Sequence, residues 1–257
     1  MTPARLRIGV LTPHAAVGPE EEFEVMAPDR LVTRVVRVTR SASDPTADSP
    51  TTPDALRALT APAVLEHAAE TLLQDPVDAV AYASTTSAYA IGFDAETAMV
   101  SAIARRLDLP VLSTCASAVL ALHALGTDRL ALIGAPWFEP ELNDAGTAYF
   151  RSQGFDVISS QSADLSRDPA QIEPDAVVEW TVQHVEDEAE AIFIGGNGFR
   201  VAPAIDRLET SLGRPVLSSI QVLLWNLLAH QHASAHISGY GRLFAQMLSS
   251  PRKGDRD

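Results

Sequence analysis

Two short segments carry side chains suited to holding a small anion. Ser84-Thr85-Thr86-Ser87 sets four hydroxyls in a row where an apolar run gives way to a stretch of helical period. Unpaired backbone N–H groups at such a helix start, joined by the hydroxyls, would cradle a carboxylate. The same residues would equally serve as helix caps. Gly196-Asn197-Gly198 is a second loop, whose backbone can approach a ligand closely and whose Asn197 offers a side-chain amide. Its glycine spacing is not that of a dinucleotide fingerprint. His14, next to Pro13 at the end of the first apolar run, is the candidate proton carrier at neutral pH; a solvated loop histidine is the competing reading. The single cysteine, Cys115, reads as a buried inert thiol, with a relocated nucleophile as the alternative. His232 and His236 stand one helical turn apart without the cysteine or carboxylate company of a metal site. No cofactor and no metal are expected.

Short apolar runs position these segments. Residues 6–12 (LRIGVLT), 77–83 (VDAVAYA), 111–114, 130–134 (LALIG), 191–195 (AIFIG) and 216–218 read as buried strands. Val64, Leu65, Ala68, Leu72 and Leu73 share one face of a helix that Pro62 can open. Met99, Val100, Ile103 and Leu107 mark a second helix, and Val177, Val178, Val182 and Val185 a third, with Pro174 near its start. A further helix runs from about Glu141 and stops at Gly154. Alternation of strands and helices predicts parallel sheet covered on both faces. Residues 39–53 read as a polar loop and 249–257 as a frayed tail.

The chain repeats itself. Leu107-Asp-Leu-Pro-Val-Leu-Ser-Thr returns as Leu212-Gly-Arg-Pro-Val-Leu-Ser-Ser, Ala79-Val-Ala-Tyr-Ala-Ser as Ala191-Ile-Phe-Ile-Gly-Gly, and Leu6-Arg-Ile-Gly-Val-Leu as Leu130-Ala-Leu-Ile-Gly-Ala. Three matched elements in one order predict two similar α/β lobes, residues 1–117 with 220–257 and residues 118–219. Ligands of open α/β sheets bind at the carboxyl ends of strands, so the site is expected in the cleft between the lobes.

A net charge of −14 leaves no basic stripe for nucleic-acid phosphates. One cysteine precludes an internal disulfide, and no apolar run spans a bilayer, so a cytoplasmic protein without membrane contact is expected. A symmetric homodimer is expected on general grounds.

The order and spacing of these segments resemble the aspartate/glutamate racemase superfamily, in the branch of maleate cis–trans isomerases, arylmalonate decarboxylases and the racemase-like proteins of ectoine breakdown. Ile8-Gly-Val-Leu-Thr-Pro13 resembles its first strand and turn, and Tyr82-Ala-Ser-Thr-Thr-Ser-Ala-Tyr-Ala-Ile-Gly92 its first cysteine loop. Asp128-Arg-Leu-Ala-Leu-Ile-Gly-Ala-Pro-Trp137 resembles its third strand and turn. Ile194-Gly-Gly-Asn-Gly-Phe-Arg200 resembles the second cysteine loop, and Gly239-Tyr-Gly-Arg-Leu-Phe244 the C-terminal stretch of the decarboxylases. The resemblance implies lobes related by a pseudo-twofold axis and two cysteines facing each other across the substrate. It also implies that Thr85 and Thr86 bind the substrate carboxylate and that Trp137 stands where relatives often place a tyrosine.

Here Ser84 occupies the first cysteine position and Gly196 the second. A thiol titrates near about 8.5 and can be tuned to neutrality. A serine hydroxyl needs an adjacent base, and glycine has no side chain to offer. The expectation is an isomerase or lyase acting on a small carboxylate or dicarboxylate without the cysteine pair. His14 and Ser84 are its catalytic candidates, and Pro13, Thr85, Thr86, Trp137, Gly196, Asn197 and Gly198 its substrate contacts. The alternative is a catalytically silent carboxylate-binding protein. Tyr89 and Arg200 either border the site or pack structurally, and Tyr240 and Arg242 are expected to tie the C-terminus to the first lobe.

Overall fold

The computed structural model describes residues 5–13, 18–39, 52–231 and 236–246. The loop at 40–51, the tail from 247, His14 and His232 lie outside the described residues.

The first sheet is built from β1 (Leu6–Thr12), β2 (Leu31–Arg37), β3 (Ala79–Tyr82) and β4 (Val111–Ser113), all parallel, in the order β2-β1-β3-β4. Between and after these strands run α1 (Pro19–Met26), α2 (Pro53–Leu59), α3 (Pro62–Leu72), α4 (Thr85–Ile91), α5 (Phe93–Leu107) and α6 (Thr114–Leu125). The second sheet repeats the plan with β5 (Arg129–Gly134), β6 (Asp156–Ser162), β7 (Ala191–Ile194) and β8 (Val216–Ser218), in the order β6-β5-β7-β8. Its helices are α7 (Pro140–Ser152), α8 (Pro174–His184), α9 (Ile205–Leu212) and α10 (Ser219–His230). Each segment of the sequence repeat holds the same place in its sheet: β1 matches β5, β3 matches β7, and β4 matches β8.

The strands β2 and β6 were not among the buried runs read from the sequence. Both are edge strands, only partly buried, and both carry polar side chains such as Arg34 and Arg37 or Ser159 and Gln161. An edge strand with one open side has no need of a continuous apolar run. Two helix faces are also rotated from expectation. In α3 the buried side is Leu65, Ala68, Ala69 and Leu72, with Leu73 turned outward. In α8 it is Val177, Trp180 and Thr181, with Val182 turned outward.

The lobes share one core. Side chains from the inner face of the first sheet (Ile8, Val10, Ala79, Ala81) belong to the same apolar cluster as Leu132, Ile133, Ile192 and Phe193 of the second. The helix α10 follows the last strand of the second sheet but packs on α6 and α1. Its apolar side chains are buried on every side, including Leu223, Leu224, Trp225, Leu227 and Leu228, as a helix between two layers requires. Asn226 Nδ2 donates to Ser117 Oγ of α6 at 3.0 Å. Across the other seam α4 packs on α7, where Tyr89, Tyr149 and Phe150 form an aromatic cluster. Beneath it the Tyr149 hydroxyl donates to the buried carboxyl of Glu96, which also faces the first-turn N–H groups of Cys115 and Ala116 in α6. Burial holds the Glu96 pKa above the usual range despite these donors.

The C-terminal stretch divides its attachments. The Tyr240 hydroxyl donates to the Val25 carbonyl of α1, as expected for a tie to the first lobe. Arg242 instead binds Glu209 of α9 in the second lobe, through its backbone N–H at 2.8 Å and its Nε at 3.3 Å. Glu209, buried and also accepting from Val216 N at 3.0 Å, is the carboxylate that draws it there. Removing the Tyr149 hydroxyl leaves the buried Glu96 carboxyl short of a donor from the other lobe. Tyr149→Phe is therefore expected to cost about 1–3 kcal/mol in urea unfolding, with an unchanged far-UV spectrum of the folded state.

Candidate functional site

The strand ends of the two sheets meet at a buried polar junction. Ser84, in extended conformation, ends the run of β3 and caps α4: its Oγ accepts from Ser87 N at 3.1 Å and donates to Ser87 Oγ at 2.8 Å. This turn places Thr85 at the first helical position, aimed across the seam. There Thr85 Oγ1 lies 2.9 Å from Ser219 Oγ and 3.2 Å from Asn197 Oδ1, while Gly196 N donates to Ser219 Oγ at 2.9 Å. Each hydroxyl has one proton to give. Ser219 Oγ also lies 3.3 Å from the Ile194 carbonyl oxygen and Gly196 N 3.4 Å from Thr85 Oγ1, so Gly196, Ser219, Thr85 and the Asn197 carbonyl oxygen form one connected network. All four residues are buried.

The network ends on an unfilled donor. Asn197 is 3% exposed, and its Nδ2 has no hydrogen-bond partner among the described residues. Leaving a buried N–H₂ unpaired costs about 1–3 kcal/mol, so the position calls for an acceptor oxygen. Beside it, half-buried Trp137 meets Phe199 edge-on with ring centroids 6.2 Å apart, an apolar wall built from the second lobe. Thr86 and Pro13 are buried at the ends of their strands' connections, and Gly198 is partly buried. Gly18, at the start of α1, packs so tightly on this loop that a Cβ would lie 2.2 Å from the Asn197 carbonyl oxygen.

Position 196 is closed to a side chain. Gly196 has φ +120°, and a Cβ there would stand 2.6 Å from the Ala135 Cβ. A side chain at 196 is refused both by the backbone and by the end of β5.

Three further groups sit around the junction. Cys115 is fully buried behind it, its Sγ donating to Thr85 O at 3.6 Å, and burial beside Glu96 pushes its thiol pKa well up. Tyr89 belongs to the aromatic seam, with its hydroxyl 3.5 Å from where a Cβ of Gly195 would be. Arg200 has left-handed backbone at φ +54° and pairs with Glu21 of α1 at 3.1 Å. His236 is exposed, and among the described residues no three His, Cys, Asp or Glu side chains gather as metal ligands.

Two residues of this region escaped the sequence reading. Ser219 is the second-lobe counterpart of Thr114 in the Val-Leu-Ser-Thr repeat, and that correspondence was the available signal. Glu22 is the third of three consecutive glutamates and reads as helix surface; its burial shows only in the fold. Its Oε1 accepts from Ala202 N of the second lobe at 2.8 Å. Desolvation pushes its pKa up to about 7, opposed by that N–H and by Arg200.

Two parallel sheets of the same strand order, meeting over a buried polar network, define a two-lobed α/β protein. Residues 61–244 match the arylmalonate decarboxylase family, and the chain belongs to that family. Among solved structures, unliganded arylmalonate decarboxylase has 21% identity and a TM-score of 0.77, over 93% of this chain and 99% of that one. The maleate isomerase Iso from Pseudomonas putida S16 has 18% identity and a TM-score of 0.82, over 94% and 98%. A cysteine-to-serine mutant of Nocardia farcinica maleate cis–trans isomerase, with a covalently bound succinylcysteine intermediate, has 21% identity and a TM-score of 0.81, over 94% and 98%. These likenesses are of fold. A search of curated proteins gives no match.

Gly196→Cys is expected to destabilise by about 3 kcal/mol or more, from the positive φ and the Ala135 contact together. Thermal unfolding checks this, and adding Ala135→Gly should recover part of the loss. Glu22 gives a pH signature. Its folded pKa of about 7 lies above the ordinary 4.5, so the folded state holds the extra proton between those values. Stability contributed by the protonated group is thus lost as pH rises through that window. Glu22→Gln removes this slope, and its stability relative to wild type should rise between pH 4 and pH 8, by on the order of 3 kcal/mol at most in urea unfolding.

Proposed function

We propose that this chain is a cofactor-independent isomerase or lyase that takes a small carboxylate or dicarboxylate in the interlobe cleft and works without a cysteine pair. The observation that carries this reading is the buried, unpartnered amide nitrogen of Asn197 at the end of the Thr85–Ser219–Gly196 network. A carboxylate oxygen is an acceptor of the kind that nitrogen lacks, and Trp137 with Phe199 suits the organic remainder of the ligand.

Loss of CO₂ from a malonate-type substrate and proton exchange next to a carboxylate both pass through an enediolate. Donors fixed where its oxygens gain charge lower that barrier without reorganising. Asn197 is assigned this role. The carbon then needs one proton, and among the groups proposed for the cleft only a histidine exchanges protons readily near neutral pH. We assign this proton to His14, which follows buried Pro13 and precedes Gly18 on the Asn197 loop by four residues. Ser84 is assigned to the helix cap, because its hydroxyl is spent on Ser87.

A silent binding protein is the second reading. It is favoured by the absence of any ionisable side chain from the hydrogen-bonded network itself.

The purified protein is to be incubated with maleate, phenylmalonate, alkylmalonates and acidic amino acids, with products followed by NMR. Turnover of at least one is expected; saturable binding by calorimetry without turnover selects the second reading. Asn197→Ala should weaken binding about tenfold or more. His14→Ala should abolish turnover while binding persists, and undiminished turnover in that variant removes His14 from the mechanism.

A further inference from the structure

One turn of α1 holds three points of the Asn197 loop. Gly18 lies against the Asn197 carbonyl and Gly198 Cα, where a Cβ would come within 2.2 and 3.2 Å. Glu21 pairs with Arg200 at 3.1 Å. Glu22, 4% exposed, reaches furthest, accepting from Ala202 N at 2.8 Å. Ala202 opens the short 3₁₀ turn Ala202–Ala204 that leads into α9, so this bond fixes the end of the loop at which the second lobe resumes regular structure. The arrangement is costly to keep, because a buried carboxyl has given up its water. Of the three contacts, the one at Arg200 is solvent-exposed and worth little. The glycine contact permits approach but holds nothing.

We propose that Glu22 is a positioning residue for the Asn197 loop: from the first lobe it sets segment 196–202 through the N–H of Ala202, and thereby sets the cleft's affinity for carboxylates without touching the ligand. The affinity clause rests on the carboxylate reading above; the positioning clause does not.

The two clauses are separable by experiment. Amide hydrogen exchange followed by mass spectrometry reads the loop with no ligand present. Peptides covering 195–204 should exchange about tenfold faster in Glu22→Ala, while peptides of β1, β3, β5 and β7 keep wild-type protection. Glu22→Gln keeps an acceptor oxygen at the same reach and should restore wild-type exchange. Glu22→Asp keeps the charge but withdraws the acceptor by one methylene; it should be fast, and it serves if Glu22→Ala does not fold. Glu24→Ala, on the exposed side of the same helix, should change nothing. Wild-type exchange in both Glu22→Ala and Glu22→Asp overturns the proposal. So does a slow aspartate with a fast glutamine, which would mean that charge matters and not reach.

Calorimetry with maleate and phenylmalonate then tests the coupling to affinity. Binding should weaken about tenfold in Glu22→Ala and recover in Glu22→Gln. A loosened loop with unchanged affinity also overturns the proposal. If wild type binds neither probe, the carboxylate reading fails, and the exchange result still decides whether Glu22 positions the loop.

Discussion

Polar groups between two packed sheets lose their water and must find partners across the seam, because an unpaired one costs as much as a large part of a small protein's margin of stability. The seam of this protein is organised by that requirement. Thr85 of the first lobe reaches Ser219 and Asn197, Tyr149 of the second reaches Glu96, and Ala202 of the second donates to Glu22. Apolar contact makes the lobes adhere, but it is indifferent to small slips. These directed bonds set the register in which the strand ends face each other.

The same requirement singles out the site. Among the described residues, the Asn197 amide nitrogen is a buried side-chain donor left without a partner, as is Arg200 Nε on the same loop. The Ser84 hydroxyl bonds to its own helix, Gly196 is closed against a side chain by Ala135, and Cys115 is fully buried, with its thiol pKa pushed up by that burial. The Nocardia farcinica isomerase mutant, which carries a succinylcysteine, shares the fold with this chain, whose seam carries a network of neutral hydrogen-bonding groups. Such groups can hold and polarise a carboxylate, but a proton has to come from elsewhere.

Legibility from sequence followed burial. Central strands buried on both faces, such as Ala79–Tyr82 and Ala191–Ile194, show as unbroken apolar stretches, and their repetition reveals the doubled plan. The edge strands Leu31–Arg37 and Asp156–Ser162 have one open side and no such signature. Leu73 and Val182 show the limit of counting along a helix. Both are apolar and near their neighbours' stripe, yet both face outward, because the sheet beneath decides which hundred degrees of a helix it covers. Arg242 went to Glu209 for a similar reason, since a flexible cation follows the nearest buried carboxylate and not the lobe its segment leans on.

Of the features discussed at the outset, the row Ser84-Thr85-Thr86-Ser87 carries the lesson most clearly. Residue type and position at a strand–helix turn determined that its hydroxyls would cap or bind, since only local backbone geometry is involved. The division of labour was decided by the tertiary structure: Ser84 faces its own helix, and Thr85 faces the other lobe. Likewise, the chain's order of residues determined that Gly196 lacks a thiol, while only packing against Ala135 closed the position to any side chain. Glu22 was one of three adjacent glutamates until α1 met the second lobe. Local sequence encodes what a backbone turn can do. Desolvation, reach across a seam and the volume left for a Cβ depend on residues far away in the chain, and those contacts exist only once the lobes have closed.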